Sequence, residues 1–303
     1  MYKHVHVIIN PAAGADRPVL SILNAAFQPA EIDWDVFVTK KEGDARRLAQ
    51  QSAAAGVDAV AVWGGDGTVM EVISGLVSTQ VPVAILPGGT GNGTSNELGI
   101  SSDPVEACAL ICGNDSQIRQ IDLGQIGDNY FMLNAGVGFA TSIMEGTERE
   151  AKDRLGVIAY LLTGLQTLRE PPIAHYHLTL DGKHMELDGI TCLIANAGTL
   201  GNTGVKLAQD IDVSDGLLDV LIIRNADLGS LAALAVSVLS GNKHTPTLEH
   251  WQAREITLVA DPPQSVQLDG DVMGQTPFTA RVLPGAARII VPKAADAPDS
   301  EHK

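Results

Sequence analysis

Apolar residues in the first third of the chain come in solid blocks separated by amphipathic stretches. Val5–Asn10 is an apolar run ending in "NPAAG", and a helix is predicted from Arg17 to Phe27. Asp33–Thr39 reads as a strand. The segment "EGDARRLAQQSAAAG" reads as a helix with Asp44 at its N-cap and Gly56 at its C-cap. Val57–Trp63 is a third strand, closing on "GGDGT", and Thr68–Val77 a helix. Val81–Leu86 is a fourth strand, closing on "PGGTGNG". In "SDPVEACALICG", Asp103 is the expected cap, Pro104 the first-turn residue and Gly113 the stop. Continuous apolar strands alternating with helices predict an α/β domain, a parallel sheet with helices on both faces.

After about Arg119 the period shortens. "HYHLTLDGKHMEL" alternates apolar Tyr176, Leu178 and Leu180 with polar neighbours and turns at Asp181-Gly182, a hairpin signal. "LLDVLIIR", "EITLVA", "SVQL" and "FTARVL" continue as short strands. Helices are expected at about Thr141–Lys152, Leu155–Leu168 and Leu228–Leu239. This half reads as a mainly antiparallel β-domain with helical insertions. The expected division is a nucleotide-binding α/β domain over 1–120, a β-rich lipid or substrate domain over 121–293 and a polar tail over 294–303, with the active site in the cleft between domains.

Composition narrows the function. A net charge of −16 argues against broad nucleic-acid binding and against electrostatic docking on anionic lipid. With 45% hydrophobic and only 4% aromatic residues, Val, Ile, Leu and Ala carry the core. Cys108, Cys112 and Cys192 give no even framework and read as buried thiols of a reducing compartment. The N-terminus enters a strand without a signal-peptide pattern, and the apolar helix "LGSLAALAVSVLSG" is too short to span a bilayer, so a cytoplasmic protein is expected.

Ligands of an open parallel sheet sit beyond the carboxyl ends of its strands. Three glycine-containing corners fall there: "NPAAG" (10–14), "GGDGT" (64–68) and "PGGTGN" (87–92). Glycine allows close backbone approach to a phosphate, and a helix N-terminus adds free N–H donors. Asp66 would repel a bare phosphate but suits a divalent cation, usually Mg²⁺, standing between them. Neither G-x-G-x-x-G nor G-x-x-x-x-G-K-[ST] occurs, which disfavours ordinary dinucleotide and P-loop sites. Any single corner would be only a turn; three at successive strand ends point to a metal–nucleotide.

Taken together, "NPAAG", "GGDGT" and "LPGGTGN…LGI", followed in order by "NAGVGF" (134–139), "DVSDGLLDV" (212–220) and "LDGD…TP…PGAARIIVP" (268–292), resemble the catalytic region of diacylglycerol kinases and sphingosine kinases, in its bacterial lipid kinase branch. GGDGT alone is shared with NAD kinases and 6-phosphofructokinases; the ordered set is specific. The resemblance implies an ATP-dependent kinase acting on a hydroxyl of diacylglycerol or a sphingoid-like lipid. By position, Asn10, Pro11, Ala12, Ala13, Gly14, Thr39, Gly64, Gly65, Asp66, Gly67, Thr68, Val69, Met70 and Thr90 would line the nucleotide. The Asp215 carboxylate and the backbone oxygens of Asp212 and Leu217 would hold a metal, Asp271 would be the general base, and Asp66 would share the catalytic work. The chain departs from the family at Asp271, where glutamate is usual, at Gly93, where several relatives carry aspartate, and at Ala140, where many do; without a carboxylate at Gly93, Asp66 and Asp271 would have to hold the magnesium network, or Glu97 would have to help. A kinase of a soluble substrate, of the NAD kinase type, and a non-catalytic nucleotide- or lipid-binding protein are the alternatives. Membrane contact is expected to be transient, and a homodimer is left open.

His4/His6 and His175/His177 stand at strand spacing, so each pair shares a face. Either could bind metal, but no third ligand follows nearby in the chain, and solvent-facing strand histidines are the expected reading.

Overall fold

The computed structural model describes residues 2–14, 17–113, 115–138, 173–199, 210–224 and 248–293. The three helices expected within 141–168 and 228–239, Ala140 and the tail lie outside them. The chain forms two compact units. One is drawn from Met1–Thr90, Leu98–Arg119 and Arg288–Lys303, the other from Gly91–Glu97 and Gln120–Ala287.

The first unit is a parallel sheet. Its strands β1 (His4–Ile9), β2 (Asp33–Val38), β3 (Ala59–Gly64) and β4 (Val83–Pro87) stand in the order β2-β1-β3-β4. The register runs Val7↔Val36, Val7↔Ala61 and Val62↔Ile85. β3 and β4 are buried at every position, as strands covered on both faces must be. Helices α1 (Val19–Phe27), α2 (Asp44–Ala55), α3 (Asp66–Leu76) and α5 (Pro104–Cys112) supply the cover, α2 packing on α3 and α1 on α5. A short α4 (Gly93–Glu97) lies in the second unit. Ile289, near the end of β16 (Phe278–Pro292), pairs in parallel with Val83, so the chain's last described strand returns to the first unit.

Helix ends follow local chemistry where partners are close in sequence. Asp103 accepts from the Val105 N–H at 2.9 Å, Pro104 opens α5 and Gly113 closes it, as read. At α2 the expectation fails. Asp44 is the first helical residue and the N-cap is Gly43, at φ +81°. Glu71 of α3 accepts from the N–H groups of Gly43 (2.9 Å) and Ala45 (3.0 Å) and satisfies the donors a local cap would have taken. Asp44 turns back to accept from the Lys40 and Lys41 N–H groups and pairs with Arg47 at 3.0 Å. α3 begins at Asp66, two residues before its expected start.

The second unit is antiparallel. β7 (Asn134–Gly138), β10 (Thr191–Ala195), β11 (Leu218–Ile223), β12 (Leu248–Ala253), β14 (Ser265–Leu268) and β15 (Asp271–Gln275) form one sheet in the order β12-β11-β10-β7-β14-β15. β8 (Ala174–Leu180), β9 (Lys183–Gly189), β13 (Glu255–Asp261) and the start of β16 form the other, with β5 (Ser116–Ile126) and β6 (Asn129–Phe131) attached. Tyr176, Leu178, Ile256 and Leu258 from one sheet pack with Val137, Ile194, Val220, Ile222 and Val266 from the other into one buried core. The predicted hairpin is β8–β9, and Asp181 and Gly182 both take the left-handed conformation its two-residue turn needs.

Among the described residues no helix is long and apolar enough to cross a membrane. The cysteines are free; Cys108 and Cys192 are buried, while Cys112 is partly exposed and donates to the Ala26 carbonyl.

Candidate functional site

In the first unit, β2 lies on one side of β1 and β3 on the other, so the direction of winding reverses between β1 and β3. A crevice opens beyond the carboxyl ends of strands at such a reversal. Asn10, just past β1, spans this point. Its N–H donates to the Trp63 carbonyl (2.9 Å), its side-chain N–H to Thr68 Oγ1 (2.9 Å), and its Oδ1 accepts from Ala12 (3.0 Å). Thr39, past β2 and buried, is tied to the Ile9 carbonyl by its N–H at 2.9 Å. Gly88, past β4, donates to Gly64 at 2.9 Å. The three corners are therefore one cluster, all at the same ends of the strands. Pro11, Ala12 and Gly14 are exposed there and Ala13 partly so.

α3 opens into this cluster with Gly65 as its N-cap, a residue that brings no side chain of its own to the first turn. The cluster thus meets the positive end of an 11-residue helix. Asp66, Gly67 and Thr68 form that first turn. Val69, by contrast, buries its side chain in the core and donates its N–H to Gly65, so neither is turned to a ligand. Met70 is partly buried in α3, and Thr90 is exposed beyond Gly88-Gly89.

Packing accounts for some of the glycines. A Cβ on Gly14, at φ +78°, would sit 1.6 Å from the Gly88 carbonyl oxygen. One on Gly64 would strike the Thr68 side chain at 2.6 Å, and one on Gly88 the Trp63 indole at 2.9 Å. These glycines let the corners touch each other. Gly65 is different: a Cβ there would make only an ordinary 3.5 Å contact with Gly89. Its side is open for something other than protein.

The second unit's functional candidates are carboxylates. In "LDGD", Asp269 and Asp271 flank the turn between β14 and β15. Asp269 accepts from three successive backbone N–H groups, those of Met132 (2.8 Å), Leu133 (2.8 Å) and Asn134 (2.9 Å). It anchors the turn to the approach of β7. Asp271, the first residue of β15, is exposed, and Val272 and Met273 beside it are exposed as well. One carboxylate holds the loop and the other is presented by it.

In "DVSDGLLD", the Asp212 carboxylate accepts from the Ser214 N–H (2.9 Å) and hydroxyl (2.6 Å), and Asp215 accepts from the Leu217 N–H at 2.9 Å. The loop is fastened by Asp122, which the motif reading passed over. Asp122 is buried, accepts from the N–H groups of Gly216 (2.6 Å) and Gly285 (2.7 Å), and donates its own N–H to the Val213 carbonyl. Its one sequence signal is a charge set inside the apolar "IDL" of β5. Although Asp215 is exposed, desolvation and then the charges of Asp219, Asp122 and Asp212 hold its carboxyl above the usual range. Oxygen donors in an excess of negative charge fit a hard divalent cation, so Asp212, Asp215 and Leu217 suit Mg²⁺ by chemistry. Asp219, buried, also bonds His250 Nε2 at 2.6 Å. Glu97 is engaged elsewhere in its own unit, accepting from the Thr199 N–H at 2.9 Å and hydroxyl at 2.5 Å.

Both histidine pairs acquire a carboxylate from a neighbouring strand: Asp35 joins His4 and His6, and Glu186 joins His175 and His177. The solvent-facing expectation fails at His6, which is buried with its Nδ1 on Ser52 Oγ at 2.9 Å.

Residues 4–126 match the diacylglycerol kinase catalytic domain and residues 135–291 the YegS C-terminal NAD kinase beta sandwich-like domain. The chain belongs to the lipid kinase family these two domains define. It is 31% identical to an uncharacterized protein of Synechocystis sp. over 96% of this chain and 70% of that one. It is 28% identical to a Staphylococcus aureus (strain Mu3) protein named "Putative lipid kinase", over 84% and 85%. The crystal structure of a "putative diacylglycerol kinase" from Bacillus anthracis str. Sterne superimposes with a TM-score of 0.82 at 26% identity, covering 96% of this chain and 97% of that one.

Proposed function

We propose that this protein is an ATP-dependent kinase that transfers the γ-phosphoryl group to a hydroxyl of diacylglycerol or a related lipid. The observation that carries the reading is the meeting of Asn10, Thr39, Thr68, Gly65 and Gly88 at the β1/β3 reversal, where α3 presents its glycine-capped N-terminus. That arrangement suits the phosphates of a nucleotide. Mg²⁺ would neutralise charge between phosphates and carboxylates; Asp66 would hold it at the nucleotide, and Asp212, Asp215 and Leu217 form a second candidate set. Phosphoryl transfer asks for positioning, charge neutralisation and a base near the attacking hydroxyl. Asp271 is the base in this reading: exposed, and carried on a turn that Asp269 fixes. The protein works in the cytoplasm and meets membranes transiently.

Labelled ATP, Mg²⁺ and diacylglycerol in mixed micelles provide the test. Asp271→Asn is expected to keep ATP affinity and cut turnover roughly 10²–10⁴-fold, Asp271→Glu to retain appreciable activity, and Asp66→Asn to lose most turnover together with the Mg²⁺ dependence of ATP binding. Normal turnover in Asp271→Asn removes it as the base. Label entering only soluble acceptors, never lipid, overturns the substrate class.

A further inference from the structure

We propose that the outer face of the β8–β9 hairpin is a binding site for a late first-row divalent metal ion of the Zn²⁺ type, with His175, His177 and Glu186 as ligands and Asp188 positioning His175. All four residues belong to the second unit and to adjacent strands in fixed register, His177 opposite Glu186 and His175 opposite Asp188. Residues two apart on a strand share a face, so the two imidazoles stand side by side, with ring centroids 4.7 Å apart and planes at 82°.

The distances suit an ion. Ligands about 2.0–2.1 Å from a tetrahedral Zn²⁺ lie roughly 3.3 Å from one another. Here His177 Nδ1 is 3.1 Å from Glu186 Oε1, and His175 Nε2 is 3.7 Å from Glu186 Oε2. One ligand atom from each of the three groups falls within 4.8 Å of the others. The glutamate reaches one nitrogen of each imidazole, so the three groups would need only to draw together to share one centre.

Asp188 adds what a simple ion pair would not need. It accepts from His175 Nδ1 at 2.7 Å, which places a proton on Nδ1 and leaves Nε2, on the glutamate side, as the nitrogen free to ligate. A carboxylate behind a ligating histidine is the usual means of orienting the ring and raising its basicity. Charge agrees as well. In register with the two histidines stand Glu186, Asp188, Val259 and Asp261, none of them cationic. All four side chains of the proposed set are substantially exposed, so water would complete the coordination. Imidazole with a single ligating carboxylate favours Zn²⁺, Cu²⁺ or Ni²⁺ over Mg²⁺, which distinguishes this site from the all-oxygen set at Asp212, Asp215 and Leu217. Bound metal would clip β8 to β9.

The full chain, stripped with chelator and titrated calorimetrically with Zn²⁺ and separately with Mg²⁺, tests this. Zn²⁺ is expected to bind at one site that Mg²⁺ does not fill, and to raise the thermal midpoint. His175→Ala, His177→Ala and Glu186→Gln should each weaken binding tenfold or more, and the double histidine variant should lose the Zn²⁺-induced midpoint shift. Asp188→Asn should weaken binding about 10–100-fold while leaving one bound ion at saturation. His4→Ala, at the other histidine pair, should change nothing. Undiminished Zn²⁺ affinity in the double variant, or loss of binding in His4→Ala, overturns the assignment, as does a wild-type protein that ignores Zn²⁺. The substituted side chains are surface groups, and circular dichroism of each variant separates lost binding from lost fold.

Discussion

The strand-end corners of the first unit and the loops of the second are built by different means, although Glu71 and Asp58 gather distant N–H groups elsewhere in the first unit. In the first, the corners at the strand ends are held by near-neutral contacts: amides on carbonyls, Asn10 on Thr68, and glycines fitted against one another. In the second, carboxylates gather backbone N–H groups from far along the chain. Asp122 reaches positions 94 and 163 residues away, Asp269 binds three amides more than a hundred residues upstream, and Asp181 binds the Arg254 and Glu255 amides. The contrast suits the work. In the proposed reading, a corner that takes polyanionic phosphate would be better left without fixed negative charge, save the one carboxylate that a metal would need. A β-sandwich whose loops must present carboxylates can use others to fix them.

The largest effect should come from breaking the second kind of loop. Asp122→Ala strands two partly buried N–H donors, each worth up to about 1–3 kcal/mol when left unmade, so a loss of up to about 5 kcal/mol is expected in urea unfolding. Asp122→Asn keeps an acceptor for one donor and should fall between. A wild-type midpoint for Asp122→Ala would mean that the long-range carboxylates are not what holds these loops.

The first unit offers a sharper version of the comparison. Gly14→Ala places a Cβ into the Gly88 carbonyl at a positive φ, and should cost roughly 2–4 kcal/mol from the left-handed strain and the overpacking together. Gly65→Ala meets nothing closer than 3.5 Å and has an ordinary φ of −89°, so stability should stay within about 1 kcal/mol of wild type. If a nucleotide presses against α3, Gly65→Ala should nonetheless weaken ATP binding at least tenfold. Equal effects of the two substitutions on both stability and binding would erase the distinction between glycines that serve the protein and glycines that serve the ligand.

What the sequence disclosed divides along the same line. The cap of α5, the Asp181-Gly182 turn and the glycine motif within each strand-end corner depend on residues a few positions apart, and all were legible. The start of α2 was misread because its donors are satisfied by Glu71, 28 residues from Gly43. Asp122 and Asp269 look like ordinary polar positions in a strand and a turn, because their partners are distant. β10 lies buried at most positions and β5 is exposed at one end and buried at the other, so neither shows the clean alternation that exposed the β8–β9 hairpin. The carboxylate beside each histidine pair was invisible for a related reason: it comes from the neighbouring strand.

The smallest expected effect concerns the first unit alone, where a titratable histidine is buried. His6 of β1 sits with its Nδ1 on Ser52 of α2 and its ring against Phe37, while His4 lies beside it and Asp35 of β2 stands 3.7 Å from its Nε2. Desolvation, then the neighbouring His4, hold its pKa below the ordinary 6.5, and Asp35 opposes them only in part. The folded state therefore takes up this proton less readily than the unfolded chain. Above pH 6.5 both states are neutral at His6 and its contribution is fully present; as pH falls through 6.5 toward the lower folded value, the unfolded chain is protonated first and stability drains away. Between pH 7.5 and 5.5 the thermal midpoint of wild type should fall more steeply than that of His6→Gln, whatever the absolute midpoint of the variant. His4→Gln should make the fall shallower without abolishing it, because the burial remains. Parallel curves for wild type and His6→Gln would show that His6 titrates as freely folded as unfolded, and that the first unit's buried contacts are no more reluctant to take charge than the second's.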